Sequence, residues 1–178
     1  MLCALASYLD AKAHNGQWLL RIEDVDTERK IKGATRSIIQ TLESYGFQWD
    51  GEVTYQSQRE DYYQAALDSI SAYIYPCSCT RKDLQNLSSD MTYGYNYPGL
   101  CRDGMKDTSV KSPSIRVKSN DDQICFIDEC QTEEFCQNIE TDIGDFILKR
   151  RGGLFAYQLA VVVDDHLQGI NHIVRGAD

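Results

Sequence analysis

The chain has 178 residues, 42% of them hydrophobic and 25% charged, which is enough apolar material to close a core and excludes a disordered polymer. Its formal net charge of −9 disfavours diffuse nucleic-acid binding through bulk charge, although a local basic run such as Lys149-Arg150-Arg151 could still meet a phosphate backbone. No apolar run reaches the ~18 residues of a membrane span, and the amphipathic N-terminal stretch does not read as a secretion signal, so a soluble cytoplasmic protein is expected.

In chain order, residues 2–14 place Leu2, Leu5, Ala6, Leu9 and Ala13 at helical spacing, which predicts a helix packed through that face. "QWLLRI" (17–22) reads as a short buried strand, "RIEDVDTERK" as an acidic loop, and Lys32 to Tyr45 as a helix that Gly46 stops in a left-handed cap. Ser57 and Glu60 have the spacing of a capping box before Tyr62, Tyr63, Ala66, Leu67 and Ile70, so a second helix is predicted there. "YIYPCSC" leaves it extended. Thr80 and Asp83 can cap a short helix after Cys79, and Ser88 to Gly104 reads as irregular.

Further on, "SIRVKS" (114–119), "QICFID" (123–128) and "DFILKR" (145–150) read as strands of a small β region. Tyr157 to Asp165 fits helix by length and strand by its three valines. "INHIV" (170–174) reads as a strand with "RGAD" at its carboxyl end, where α/β folds place ligands.

Seven cysteines, an odd number in a chain with no secretion signal, argue against a disulfide framework and for reduced thiols or metal ligation. Cys77, Cys79 and Cys101 offer three thiolates where a closed structural zinc site takes four ligands. Tyr93, Tyr95, Tyr97 and Asp103 are candidates for the fourth, since a metal can deprotonate a phenol as it does a thiol. Free buried cysteines are the plainer alternative.

Two further constellations carry possible chemistry. Glu23, Asp24 and Asp26 at a strand end could hold a cation or a substrate ammonium, or else form a solvated loop or helix cap. Tyr157, Asp164, Asp165, His166 and Arg175 fall in the last 25 residues, and Arg175 offers a guanidinium fork suited to a carboxylate or phosphate. His14 and His172 read as partly exposed polar residues. No Gly-rich phosphate loop, Ser-His-Asp set or His-x-Glu deaminase pattern occurs, so hydrolase chemistry has no support.

Taken together, "ALASYLDAKAHNGQWLLRIEDVDTERKIKGA", "GEVTYQSQREDYYQAAL", "YPCSCTR", "YPGLCR" and "LFAYQLAVVVDDHLQGINHIVRGAD" closely resemble the glutamyl-Q tRNA(Asp) synthetases. These are short relatives of glutamyl-tRNA synthetase with a class I catalytic domain and no anticodon-binding domain. The resemblance covers nearly the whole chain. "RIED" and a "VVRG"-like segment are shared with ordinary glutamyl-tRNA synthetases, whereas Cys-x-Cys followed by Tyr-x-x-x-Cys points to the shorter family.

The resemblance implies an α/β fold: a Rossmann-like class I synthetase catalytic domain over 1–178, partial because its first strand is missing, with a zinc-bearing α+β insertion over 75–116. It implies ATP-dependent activation of L-glutamate without tRNA, Mg2+ accompanying the ATP, and transfer of the glutamyl group to the queuosine base of tRNA(Asp) by a monomer. Glu23 matches the acidic residue that holds the amino acid's ammonium, and Tyr157 and Arg175 match residues lining the glutamate site. Cys77, Cys79, Tyr97 and Cys101 match the zinc set, so Tyr97 becomes the expected fourth ligand of one structural Zn2+. No residue of this chain is matched to a catalytic role.

Two signatures of that family are absent. The strand and loop resembling "FAPSPSGPLHFGSL", which carry the HIGH-type motif, are missing before Met1, and the lysine-bearing KMSKS-type loop is missing after Asp178. Unpaired buried backbone groups beside a missing central strand cost on the order of 1–3 kcal/mol each against a domain stability of ~5–15 kcal/mol, so the 178 residues alone are expected to be poorly stable or inactive. Two alternatives stand beside the enzyme: a non-catalytic, zinc-stapled remnant that binds tRNA or glutamate, and a fragment of an ordinary glutamyl-tRNA synthetase.

Overall fold

The structure, a computed structural model, describes residues 1–26, 31–85 and 97–176. The chain divides into two compact units, Met1–Tyr63 with Ala160–Asp178, and Gln64–Leu159. The segment 75–116 lies inside the second.

In the first unit, helix α1 (Leu2–Ala13) is followed by β1 (Arg21–Ile22), α2 (Ala34–Ser44) and β2 (Thr54–Tyr55), with β1 and β2 pairing in parallel. Helix α2 ends as its sequence predicts. Gly46 adopts φ +80°, its N–H reaches Glu43 O at 2.9 Å, and Phe47 N–H reaches Leu42 O at 3.1 Å. That is the double hydrogen bond of a Schellman cap, and the accompanying apolar pair, Leu42 and Phe47, enters the core with Trp18 and Leu20. The Tyr8, Trp18 and Phe47 rings close on one another at centroid distances of 5.1–5.5 Å.

Four expectations for this unit need correction. Helix α1 packs through Ala4, Tyr8 and Ala11, while Leu2, Leu5 and Leu9 on the expected face are exposed. Both stripes have helical spacing, and the small alanines let the helix approach the Trp18 and Phe47 rings closely. The strand expected over 17–22 is laddered only at Arg21 and Ile22; upstream, Trp18 N–H donates to the Asp50 side chain at 2.9 Å and Trp18 O accepts from Asp50 N–H at 2.8 Å. "INHIV" has no ladder partner among the described residues, and Ile173 is exposed there.

Helix α3 (Glu60–Ser69) begins where expected, but Ser57 does not cap it. Ser57 lies in a 3-10 turn (Gln56–Gln58), and its N–H and Oγ both donate to Asp24, each at 2.9 Å.

In the second unit, β3 (Ile74–Cys77), β4 (Ser114–Val117) and β7 (Ile147–Lys149) form an antiparallel sheet in the order β3-β4-β7. The short helix α4 (Arg81–Gln85) carries the predicted cap, with Thr80 N–H and Oγ1 donating to Asp83 Oδ2 at 2.6 and 2.7 Å. Strand β5 (Gln123–Asp128) pairs with β6 (Glu133–Asn138), an acidic strand not anticipated from the sequence. Cys125 and Cys136 face each other across this hairpin and are joined by a disulfide, which corrects the expectation of reduced thiols at those two positions. Helix α5 (Tyr157–Gln168) resolves the ambiguous segment as helix.

Candidate functional site

Strand β3 delivers Cys77 at its end, Cys79 follows before the α4 cap, and the turn after Tyr97 brings Cys101 back. Cys77, Tyr97 and Cys101 are each at most 2% exposed. Tyr97 Oη lies 3.3 Å from both Cys77 Sγ and Cys79 Sγ, Cys79 Sγ lies 3.6 Å from Cys101 Sγ, and the three thiols lie within 4.8 Å of one another. With Zn–S near 2.3 Å, a tetrahedral site has sulfur-sulfur edges of about 3.8 Å and slightly shorter sulfur-oxygen edges, and the separations of 3.3, 3.3 and 3.6 Å are of that order. Tyr93 and Tyr95 lie outside the described residues, and Asp103 is exposed.

The acid-base state of the cluster shows why a cation would suit it. Burial pushes the Cys101 thiol up, but the Tyr97 hydrogen bond and the main-chain amides of Lys106 and Ser78 outweigh burial and hold it at about 6. Cys79 is pushed up to about 11, by burial first and then by its sulfur neighbours. Burial and the three thiols also raise Tyr97. Without a cation Cys101 is favoured as thiolate while Cys79 and Tyr97 hold their protons; a dication would favour deprotonation of those two.

A second set of residues, not singled out in the sequence, holds this cluster in place. Arg116 stacks its guanidinium 3.8 Å over the Tyr97 ring and donates from Nη1 to Asp145 O at 2.6 Å. Asp145, fully buried, accepts from Arg102, from Tyr75 Oη, and from Ser119 N–H and Oγ at 2.8 and 2.7 Å. Arg102 adjoins Cys101, and Gly144 bridges Tyr97, so the carboxylate locks together the two segments that carry the phenol and the last thiol. An arginine directly after a cysteine of the cluster was the available sequence signal. The basic run is partly engaged as well: Lys149 donates to Gln64 and Arg151 to Ser78 O.

In the first unit a chain of charges joins two of the expected glutamate-site residues. Arg21 Nη2 lies 3.4 Å from Glu23 Oε1 and 2.8 Å from Asp165 Oδ1, and Arg175 Nη2 lies 3.9 Å from Asp165 Oδ2. The Glu23 and Arg175 side chains are 38% and 47% exposed, open to a solute. Tyr157 belongs to the other unit, at the first position of α5, and is partly exposed.

Below that chain, Asp164 is fully buried and accepts from Arg59 Nε at 2.6 Å, Gln56 Nε2 at 2.8 Å and Tyr63 Oη at 2.8 Å. It acts as an internal tie. Asp24 is likewise buried and bound to Ser57, so of the acidic loop's described carboxylates Glu23 is the exposed one.

Comparison with known proteins gives the family. Residues 2–178 match the family model for tRNA synthetases class I (E and Q), catalytic domain. The chain is 45% identical over 182 residues to the glutamyl-Q tRNA(Asp) synthetase of Dechloromonas aromatica and 47% identical over 182 residues to that of Pseudomonas putida, covering all of this chain in each case. It spans 60% and 58% of the length of those two relatives. Among solved structures, a glutamate tRNA ligase from Elizabethkingia meningosepticum in complex with its amino acid superposes with a TM-score of 0.80 at 29% identity, over 98% of this chain and 40% of that one. The glutamate-tRNA synthetase of Elizabethkingia anophelis gives the same values. The chain therefore belongs to the class I tRNA synthetases (E and Q), within their catalytic domain.

Proposed function

We propose that these residues form the amino-acid-binding part of a glutamyl-Q tRNA(Asp) synthetase, which activates L-glutamate with ATP and Mg2+ and transfers it to the queuosine base of tRNA(Asp). The observation that carries the reading at the site is the charge chain Glu23-Arg21-Asp165-Arg175, which offers an exposed carboxylate and an exposed guanidinium. A glutamate ammonium suits the first and its side-chain carboxylate the second, through a fork of parallel hydrogen bonds. The names of the relatives support the choice of acceptor.

In this reading Glu23 holds the ammonium and Arg175 fixes the distal carboxylate. Arg21 and Asp165 position the two charged groups without touching substrate. Cys77, Cys79, Tyr97 and Cys101 hold one structural Zn2+; four protein donors leave no open coordination position, so the ion would brace the second unit rather than bind substrate.

The test is a chimera in which residues 1–178 replace the matching stretch of the Dechloromonas aromatica relative. With ATP, Mg2+ and labelled glutamate, label should appear on tRNA(Asp) carrying queuosine, and not on tRNA(Asp) lacking it. Arg175→Ala should raise the KM for glutamate by about 100-fold or more, in line with the ~3 kcal/mol of a charge-assisted hydrogen bond. Label on tRNA(Glu) instead would overturn the reading.

A further inference from the structure

Asp10 and His14 are four residues apart at the carboxyl end of α1, so both lie on one face of its last turn. Residues 170–176 pass this helix end and bring in His172. His14 Nδ1 lies 3.2 Å from Asp10 Oδ1, and His172 Nδ1 lies 3.0 Å from Asp10 Oδ2, so each imidazole takes one oxygen of a shared carboxylate. His14 Nδ1 also lies 2.9 Å from the Asp10 main-chain carbonyl, a contact that fixes the ring's orientation. The two rings sit 5.1 Å apart between centroids.

We propose that Asp10, His14 and His172 bind one divalent transition-metal ion of the zinc class. One ring nitrogen from each histidine and one Asp10 oxygen lie within 4.8 Å of one another. Metal-nitrogen and metal-oxygen bonds of 2.0–2.2 Å give donor-donor edges of about 3.4 Å, so small side-chain rotations suffice to close the set around an ion.

The donors also set the kind of metal. Two imidazoles and a carboxylate with no sulfur suit Zn2+, Co2+, Ni2+ or Cu2+, whereas Mg2+ and Ca2+ take oxygen ligands. The side chains of Asp10, His14 and His172 are 31%, 62% and 51% exposed, so an ion can enter from solvent and keep water in its remaining positions.

All three residues belong to the unit of Met1–Tyr63 with Ala160–Asp178, and none is shared with the sulfur cluster. A bound ion would tie the segment ending in Arg175 to the end of α1.

The test is a Co2+ titration of the full chain after one equivalent of Zn2+ has been added and shown by thiol titration to protect Cys77, Cys79 and Cys101. One Co2+ should bind with weak visible bands and no thiolate charge-transfer absorption. His172→Ala and His14→Ala should each weaken that binding by at least about 10-fold, since even outer partners of metal ligands are worth about 10–100-fold. These side chains are exposed, and unchanged circular dichroism would show that the variants fold. Equal Co2+ binding by wild type and His172→Ala would overturn the proposal, as would thiolate charge-transfer absorption from the added ion.

Discussion

Arg102 grips Asp145 with two nitrogens at once, Nε to Oδ2 at 2.7 Å and Nη2 to Oδ1 at 2.6 Å. The carboxylate is fully buried, while the guanidinium reaches the surface far enough to meet Glu140 at 3.1 Å as well. Because Arg102 follows Cys101 and Asp145 follows Gly144, the bridge partner of Tyr97, this one ion pair sets the spacing between two parts of the thiol-phenol cluster.

Removing Arg102 should therefore destabilise the second unit and loosen the cluster together. Breaking a buried pair from one side costs about 3–5 kcal/mol; Tyr75 and Ser119 still donate to Asp145, so Arg102→Ala should fall near 3 kcal/mol. Arg102→Lys should recover little, because an ammonium cannot supply the parallel fork. Urea denaturation measures it, and a loss under about 0.5 kcal/mol, the size of an ordinary surface change, would contradict the clamp.

The same carboxylate predicts an acid transition. Burial alone would raise Asp145, but Arg102, Tyr75 and Ser119 outweigh it and hold the group at about 2, against an ordinary 3.8. A depressed folded-state value means that the stabilisation is fully present above the unfolded value and is lost as pH falls from about 4 towards 2. The difference corresponds to about 2 kcal/mol. Urea denaturation at pH 6 and pH 3 should show about half of that loss, ~1 kcal/mol, in the wild type, and Asp145→Asn, already less stable at pH 6, should show a smaller one. An equal fall in both proteins would assign the acid sensitivity to other groups.

Local chemistry made much of the fold legible. Gly46 marked the cap of α2, Thr80 and Asp83 the cap of α4, and "QICFID" strand β5, because each signal is complete within a few residues. What depended on distant partners was not legible. The face of α1 was decided by Trp18 and Phe47, Ser57 was drawn from its capping role by Asp24, and "INHIV" has no strand neighbour among the described residues. The candidate sites divide the same way. Cysteine spacing announced the thiols, but Asp145 is 44 residues from Cys101 and 48 from Tyr97 along the chain, so its role emerges only in three dimensions.

Tyr97 can be separated into its two parts. Tyr97→Phe keeps the ring under the Arg116 guanidinium and removes only the oxygen, so the fold should survive while zinc affinity falls by about 10–100-fold or more. Cys79→Ser should weaken zinc further, because a hydroxyl is a much poorer ligand than a thiolate. Competition with a chromogenic chelator measures both. Unchanged zinc affinity in Tyr97→Phe would remove the phenol from the ligand set.

The buried carboxylate Asp164 should show strong non-additivity. Tyr63→Phe removes one neutral hydrogen-bond donor from a fully buried side chain and should cost about 1–2 kcal/mol. Asp164→Ala takes the acceptor from Arg59, Gln56 and Tyr63 at once, leaving a guanidinium without its closest counter-charge, and should cost about 3–5 kcal/mol. Once the carboxylate is gone, the Tyr63 hydroxyl no longer has that bond to lose. The double variant should then be less destabilised than the sum of the two single ones by about 1 kcal/mol, the coupling expected of groups in direct contact. Equilibrium urea denaturation of the four proteins closes this cycle, and strict additivity would mean that the Tyr63 hydroxyl does not draw its stabilisation from Asp164.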